Sequence, residues 1–113
     1  MFTLDLSPKY WWPVTFRVPA ADSMQMADMS FEAEFRRVSA EQMDGMFRRA
    51  AEERVSDSTI AREVLVGWRQ VVGAGGAIPF TAEALTQLLA VPGAGSAVMS
   101  AFFESISKGA EKN

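Results

Sequence analysis

Three groups of residues have types and spacing that could do chemistry. The first is Gly73-Ala74-Gly75-Gly76, running into Ile78-Pro79-Phe80-Thr81. A glycine-rich turn before a helix start is how some folds cradle a phosphate on backbone N–H groups. A P-loop needs a Lys-Ser/Thr pair and a dinucleotide fingerprint needs GxGxxG after a strand, and this stretch has neither. It reads as a turn. The second group is acidic: Glu32, Glu34 and Glu104. Carboxylates, Lys, Tyr and Ser would have to carry any catalysis, because the 113 residues include no histidine and no cysteine. That removes the commonest acid–base group near neutral pH, the commonest metal ligand and the thiolate nucleophile. Glu32 and Glu34 alternate as the wet side of a strand does, and no nucleophile–base pair or metal-ligand spacing accompanies them. No catalytic, cofactor-binding or metal-ligating residue is assigned. The third group is apolar: Trp11-Trp12, Met24, Met26, Met29 and Phe103. Two adjacent tryptophans cannot both face inward from one strand, so one is free to anchor a partner. Flexible thioethers suit adaptable binding surfaces. These six residues are the candidate partner-binding set.

The elements that must position them follow from periodicity. Tyr10 to Val18 alternates, with Val14, Phe16 and Val18 on one side and Thr15 and Arg17 on the other, and Pro13 belongs at the start or on an edge. A loop from Pro19 to Met29 holds the three methionines. Phe31, Ala33 and Phe35 then face inward and Glu32, Glu34 and Arg36 outward, which predicts an antiparallel hairpin over 10–37 with Arg17 across from Glu32 or Glu34. Residues 1–9 show little periodicity, and Ser7-Pro8 reads as a turn or loose arm. Ser39-Ala40-Glu41-Gln42 is a capping box opening a helix to about Arg54, with Met43, Met46, Phe47 and Ala50 as its buried stripe. Ser56 or Asp57 caps the next helix. Ile60, Val64, Leu65, Trp68, Val71 and Val72 share one face of it, and Gly67 beside Trp68 has a packing role. The glycines of 73–76 permit positive φ, so this helix stops by Gly73 and packs as a hairpin on another capped by Thr81, with Leu85, Leu88 and Leu89 buried. Val91-Pro92-Gly93 breaks that helix from a last one carrying Val98, Ala101, Phe102 and Ile106, flanked by Met99 and Phe103. Its apolar arc is wide enough to include an interface, and Lys108 to Asn113 is a polar, fraying end. The expected fold is α+β: an N-terminal hairpin, then about four helices over 39–110, in one domain.

Composition sets outer limits. Hydrophobic residues at 49% and charged residues at 22% suit a globular chain. A net charge of −3 and a pI near 4.9 argue against broad binding to a nucleic-acid backbone, whose affinity comes mainly from Lys and Arg. The pairs Arg36-Arg37 and Arg48-Arg49 read as surface solubility or contact with an acidic partner. No apolar run approaches a membrane span, no signal-peptide layout opens the chain, and the lack of cysteine fits a reducing compartment. The expected location is the cytoplasm.

Taken in order, several short motifs resemble the tail assembly chaperones of long-tailed bacteriophages, small proteins encoded just ahead of the tape measure protein. They are V-T-F-R-V-P (Val14 to Pro19), F-E-A-E-F-R-R (Phe31 to Arg37), L-V-G-W (Leu65 to Trp68), I-P-F-T (Ile78 to Thr81) with A-L-x-x-L-L (Ala84 to Leu89), V-P-G (Val91 to Gly93) and A-F-F-E-S (Ala101 to Ser105). Together they cover most of residues 13–113. The Gly-Ala-Gly-Gly turn lacks the acidic residues expected of many relatives. The resemblance implies a strand pair with a helical remainder and no catalytic residues. It implies a client, the tape measure protein, coated by many copies in the cytoplasm of the bacterial host. It also implies help in recruiting major tail subunits and release before the virion matures. Many such proteins have a rarer long form made by ribosomes slipping back one base. Glu111-Lys112-Asn113 is compatible with the slippery run A-AAA-AAC, so this chain would be the short form and the extension would recruit the major tail protein. The competing reading is a small structural or connector subunit that stays in the particle. Self-association is expected through the hairpin edge and the apolar arc of the last helix.

Overall fold

The structure, a computed structural model, describes residues 4, 6–73 and 75–111, the last four of these by backbone alone. Its described elements are β1 (Lys9–Pro19), β2 (Met26–Arg36), α1 (Ala40–Glu52), α2 (Asp57–Val64), β3 (Leu65–Arg69), β4 (Val72–Gly73), β5 (Gly76–Ala77), α3 (Ala82–Leu89) and α4 (Ala94–Glu111). The α+β class, the N-terminal antiparallel strands and the four helices agree with expectation. The sheet has three strands in the order β1-β2-β3, and β4-β5 is a separate small hairpin.

β1 and β2 pair antiparallel over their full lengths, from Lys9↔Arg36 to Pro19↔Met26. Beyond the two ends, Arg37 N–H donates to Pro8 O at 2.8 Å and Ala20 N–H to Gln25 O at 2.9 Å. Because hydrogen-bonded rungs alternate along an antiparallel ladder, these bonds place the even-numbered residues of β1 on the β2 side. Pro13 and Pro19 therefore turn their missing N–H toward the open edge, which is why proline is tolerated within an eleven-residue strand. The methionines sit differently from expectation: Met26 and Met29 belong to β2, and only Met24 is in the turn. The longer strands also shift the pairing, so Arg17 lies across from Asp28 rather than Glu32 or Glu34.

The largest departure is at Trp68. The predicted helix from Ile60 to Val72 ends at Val64, and Leu65 to Arg69 continues as a strand antiparallel to β2. Leu65 pairs with Phe35 and Gly67 with Glu34, so Val66 is an extra residue forming a β-bulge. The bulge puts Leu65 and Trp68, three residues apart, on the same inner face. Spacing by three is also what a helix presents, and that is the physical origin of the mistaken period. Gly67 allows a close approach: a Cβ there would lie 2.5 Å from Glu34 Oε1 and 3.3 Å from Glu34 Cβ. After Arg69, Gln70 takes a left-handed φ of 68° and the chain leaves the sheet. The glycine-rich turn closes β4 on β5 with Gly76 at φ 110°, a β-hairpin rather than a joint between two helices. Trp68 Nε1–H ties it down by donating to Ile78 O at 2.8 Å.

Capping went as the sequence predicted. Ser39 Oγ accepts from Gln42 N–H and Gln42 Oε1 accepts from Ser39 N–H, while Ser56 and Thr81 cap α2 and α3. Helices α2 and α4 pack on the inner sheet face. Phe35, Phe102, Leu65, Val14, Val64 and Val98 are fully buried, and Phe35 meets Phe102 edge-on at 5.3 Å. Removing such side chains from water is the main stabilising term. In α1 only Met46 is buried; Phe47 is 53% exposed and Ala50 is also exposed, so the expected stripe is narrower. Helix α4 continues to Glu111, beyond the fraying expected from Lys108 on, and residues 112–113 lie outside the described part.

Candidate partner-binding surfaces

The six candidate residues fall into two separate patches. Trp11 stands opposite Glu34 and Met26 opposite Pro19, so they are about eight residues apart along β2, or roughly 26 Å.

The first patch is a groove of about 720 Å³ where the start of β1 meets α1 and the end of α4, lined by Tyr10, Trp11, Trp12, Val38, Met43 and Ile106 with Arg37 and Asp44 at its rim. Both tryptophans reach it although they point to opposite faces, because β1 is the edge strand. Trp12 lies half-buried on the core face, and its Nε1–H is buried with no acceptor. A buried donor left unmatched costs about 1–3 kcal/mol. Trp11 is on the outer face with Arg69 4.0 Å over its ring. Arg69 is also paired with Glu32, which holds the cation in place. Tyr10 is fixed in turn. Ser105 Oγ–H donates to Phe102 O at 2.6 Å, which leaves Ser105 Oγ to accept from the Tyr10 hydroxyl at 2.8 Å. Burial raises the Tyr10 pKa, opposed by the Arg37 guanidinium 4.9 Å from its ring centre, so the phenol stays a neutral donor. Helical spacing extends the groove: Phe47 is one turn from Met43 and Phe103 one turn from Ile106, and the two phenyl rings stack at 5.3 Å. Phe103, the candidate on the last helix, thus joins the first patch.

The second patch is the far end of the hairpin. Met24 is fully exposed, Met26 is 55% and Met29 45% exposed. Met29 also lines a smaller hollow of about 260 Å³ beside Val71 and Val72.

Glu32 and Glu34, two of the carboxylates considered for catalysis, have cationic neighbours. Glu32 pairs with Arg69 and Glu34 lies 3.9 Å from Lys9, while Glu104 is on the exposed side of α4. Among the described residues no group of three or more acidic side chains is placed to hold a metal. The basic pairs do more than solubilise. Arg49 forms a two-pronged bond with Glu63 at 2.8 and 2.6 Å, joining α1 to α2. Arg36 Nε donates to Glu63 O at 3.2 Å and Arg37 Nε to Ser7 O at 2.6 Å. The Arg49 hydrogen bond holds the Glu63 carboxyl below its ordinary pKa. Among the described residues no single helix is long and apolar enough to cross a membrane.

Tyr10, Phe47 and Val72 were not among the expected contact residues. Phe47 carried no signal, since Met43, Met46, Phe47 and Ala50 fit one core-facing stripe about 100° wide. Nor did Val72, because its place depends on the left-handed turn at Gln70. No protein-family model, curated protein or solved structure matches this chain.

Proposed function

We propose that this chain is a non-enzymatic tail assembly chaperone whose groove between β1, α1 and α4 holds an apolar helical segment of a tape measure protein. The single observation that carries this reading is the groove itself: aromatic, about 720 Å³, and bordered one helical turn away by the exposed Phe47 stacked on the half-buried Phe103. Grooves of this make accept the apolar face of an amphipathic helix, with anchors one turn apart. Exposed apolar patches of this kind mark interaction sites more often than incidental surface. The motif resemblance supplies the identity of the client and the recruitment of major tail subunits through a longer form. Homo-oligomerisation and release before maturation belong to the same reading.

The test is co-expression with fragments of a tape measure protein. Phe47→Ser with Ile106→Ser alters two exposed side chains, so it should abolish co-purification while leaving the circular dichroism spectrum unchanged. Replacing Met24, Met26 and Met29 with Ser should leave client binding intact. Client loss in the methionine variant alone would move the site to the hairpin end. Mass spectrometry of mature particles separates the competing reading, because a connector subunit would be present in them and a chaperone absent.

A further inference from the structure

The two long edges of the sheet are not equally open. On the β1 edge, Pro13 and Pro19 remove two donors from the outward-facing backbone, a common device against unwanted pairing. The other edge is covered only in part, since β3 pairs with β2 from Glu32 to Phe35 and leaves at Gln70. By the same alternation, Met26, Asp28 and Ser30 turn their N–H and C=O groups toward that uncovered side, and among the described residues no backbone group bonds them there. Beside this stub lies the hollow of about 260 Å³, walled by Phe16, Met29, Phe31, Val71, Val72 and Leu88. It is a strand-addition slot next to an apolar pocket.

Leu4 and Leu6 are 65% and 73% exposed, large apolar side chains at strand spacing in an arm too short to show a sustained period. An extended segment in the slot would send both leucines to the pocket side. The arm cannot fill its own slot. Arg37 holds Ser7 O at 2.6 Å at the opposite end of the sheet, and Ser30 is seven residues from Arg37 along β2, roughly 23 Å away. Leu4 is three residues from Ser7, a reach of about 10 Å at full extension.

We propose that the Leu4–Leu6 arm of one copy adds as a strand to the Met26–Ser30 edge of a second copy, with its leucines in the Phe16–Leu88 pocket. The contact joins two different patches, so it closes by reciprocal exchange in a dimer or by rotation into a ring. The receiving slot lies at the other end of the hairpin from the client groove.

The full chain is tested by light scattering at hundreds of micromolar. The unmodified protein should show at least a dimer mass, and Leu4→Asp with Leu6→Asp should be monomeric with an unchanged circular dichroism spectrum. Because the chain has no cysteine, single-cysteine variants give an independent readout. Mixing Leu4→Cys with Met29→Cys, whose side chain lines the pocket, under oxidation should yield several-fold more cross-linked dimer than mixing Leu4→Cys with Ser100→Cys, which sits on an exposed position of α4. A monomer at all concentrations, oligomers that survive the aspartates, or equal cross-linking in both mixtures would overturn the inference. Oligomers that survive the aspartates but are lost on Ser30→Pro would assign the slot to another strand, and they too overturn the arm.

Discussion

Replacing Trp68 tests whether the bulged strand β3 organises the core. The side chain is 8% exposed, meets Phe80 edge-on at 4.8 Å and Phe31 at 6.2 Å, and donates to Ile78 O at 2.8 Å. Truncating a buried tryptophan to alanine costs about 3–5 kcal/mol, from lost transfer energy plus the cavity left behind. In a chain of 113 residues each kcal/mol moves the melting temperature by roughly 4 °C, so Trp68→Ala should lower it by roughly 12–20 °C. Trp68→Phe separates the terms. It keeps an aromatic ring but removes the donor to Ile78 O, so its cost should be nearer 1–3 kcal/mol, roughly 4–12 °C. Differential scanning calorimetry measures both shifts. Amide exchange supplies the location, because the Ile78 N–H donates to Val71 O at 2.8 Å and closes the small hairpin. In Trp68→Phe that amide should lose protection more than the Phe35 amide in the middle of the sheet. A melting temperature within a few degrees of the parent for Trp68→Ala would refute β3 as the organising element. Equal loss of protection at Ile78 and Phe35 would refute the tether.

Three other outcomes follow from particular contacts. Ser39→Ala removes one arm of the capping box at α1 and should destabilise by about 1 kcal/mol in urea unfolding, with an unchanged m-value. Gly67→Ala should be better tolerated in a Glu34→Ala background than in the parent, with a double-mutant coupling of about 1 kcal/mol, because the new Cβ collides with that side chain. The Glu63 carboxyl is held below its ordinary pKa chiefly by the Arg49 hydrogen bond, so the stability it contributes is present above the usual carboxylate range and lost as the pH falls through its lowered folded value. Melting curves of Glu63→Gln and the parent should therefore converge on acidification, and a gap that stays constant with pH would count against the linkage.

What the sequence settled by itself was local. Ser39-x-x-Gln42, Ser56 and Thr81 cap helices because a hydroxyl three residues ahead of an unpaired N–H needs nothing from the rest of the fold. The alternation of Val14–Phe16 and Phe31–Phe35 fixed which side of the hairpin is buried, since period two leaves a strand only one way to face a core. Tertiary structure decided whatever depended on a neighbour far away in sequence. Leu65 and Trp68 have a spacing that a helix would satisfy, and only pairing with Phe35 and Ala33 across a bulge makes that stretch a strand. Phe47 looks like core by period but is left half in water, stacked on Phe103. Trp11 and Met26 are members of one candidate set in sequence and lie at opposite ends of the same hairpin in space. Spacing along a chain reports which residues share a face, whereas the register between strands determines which faces meet.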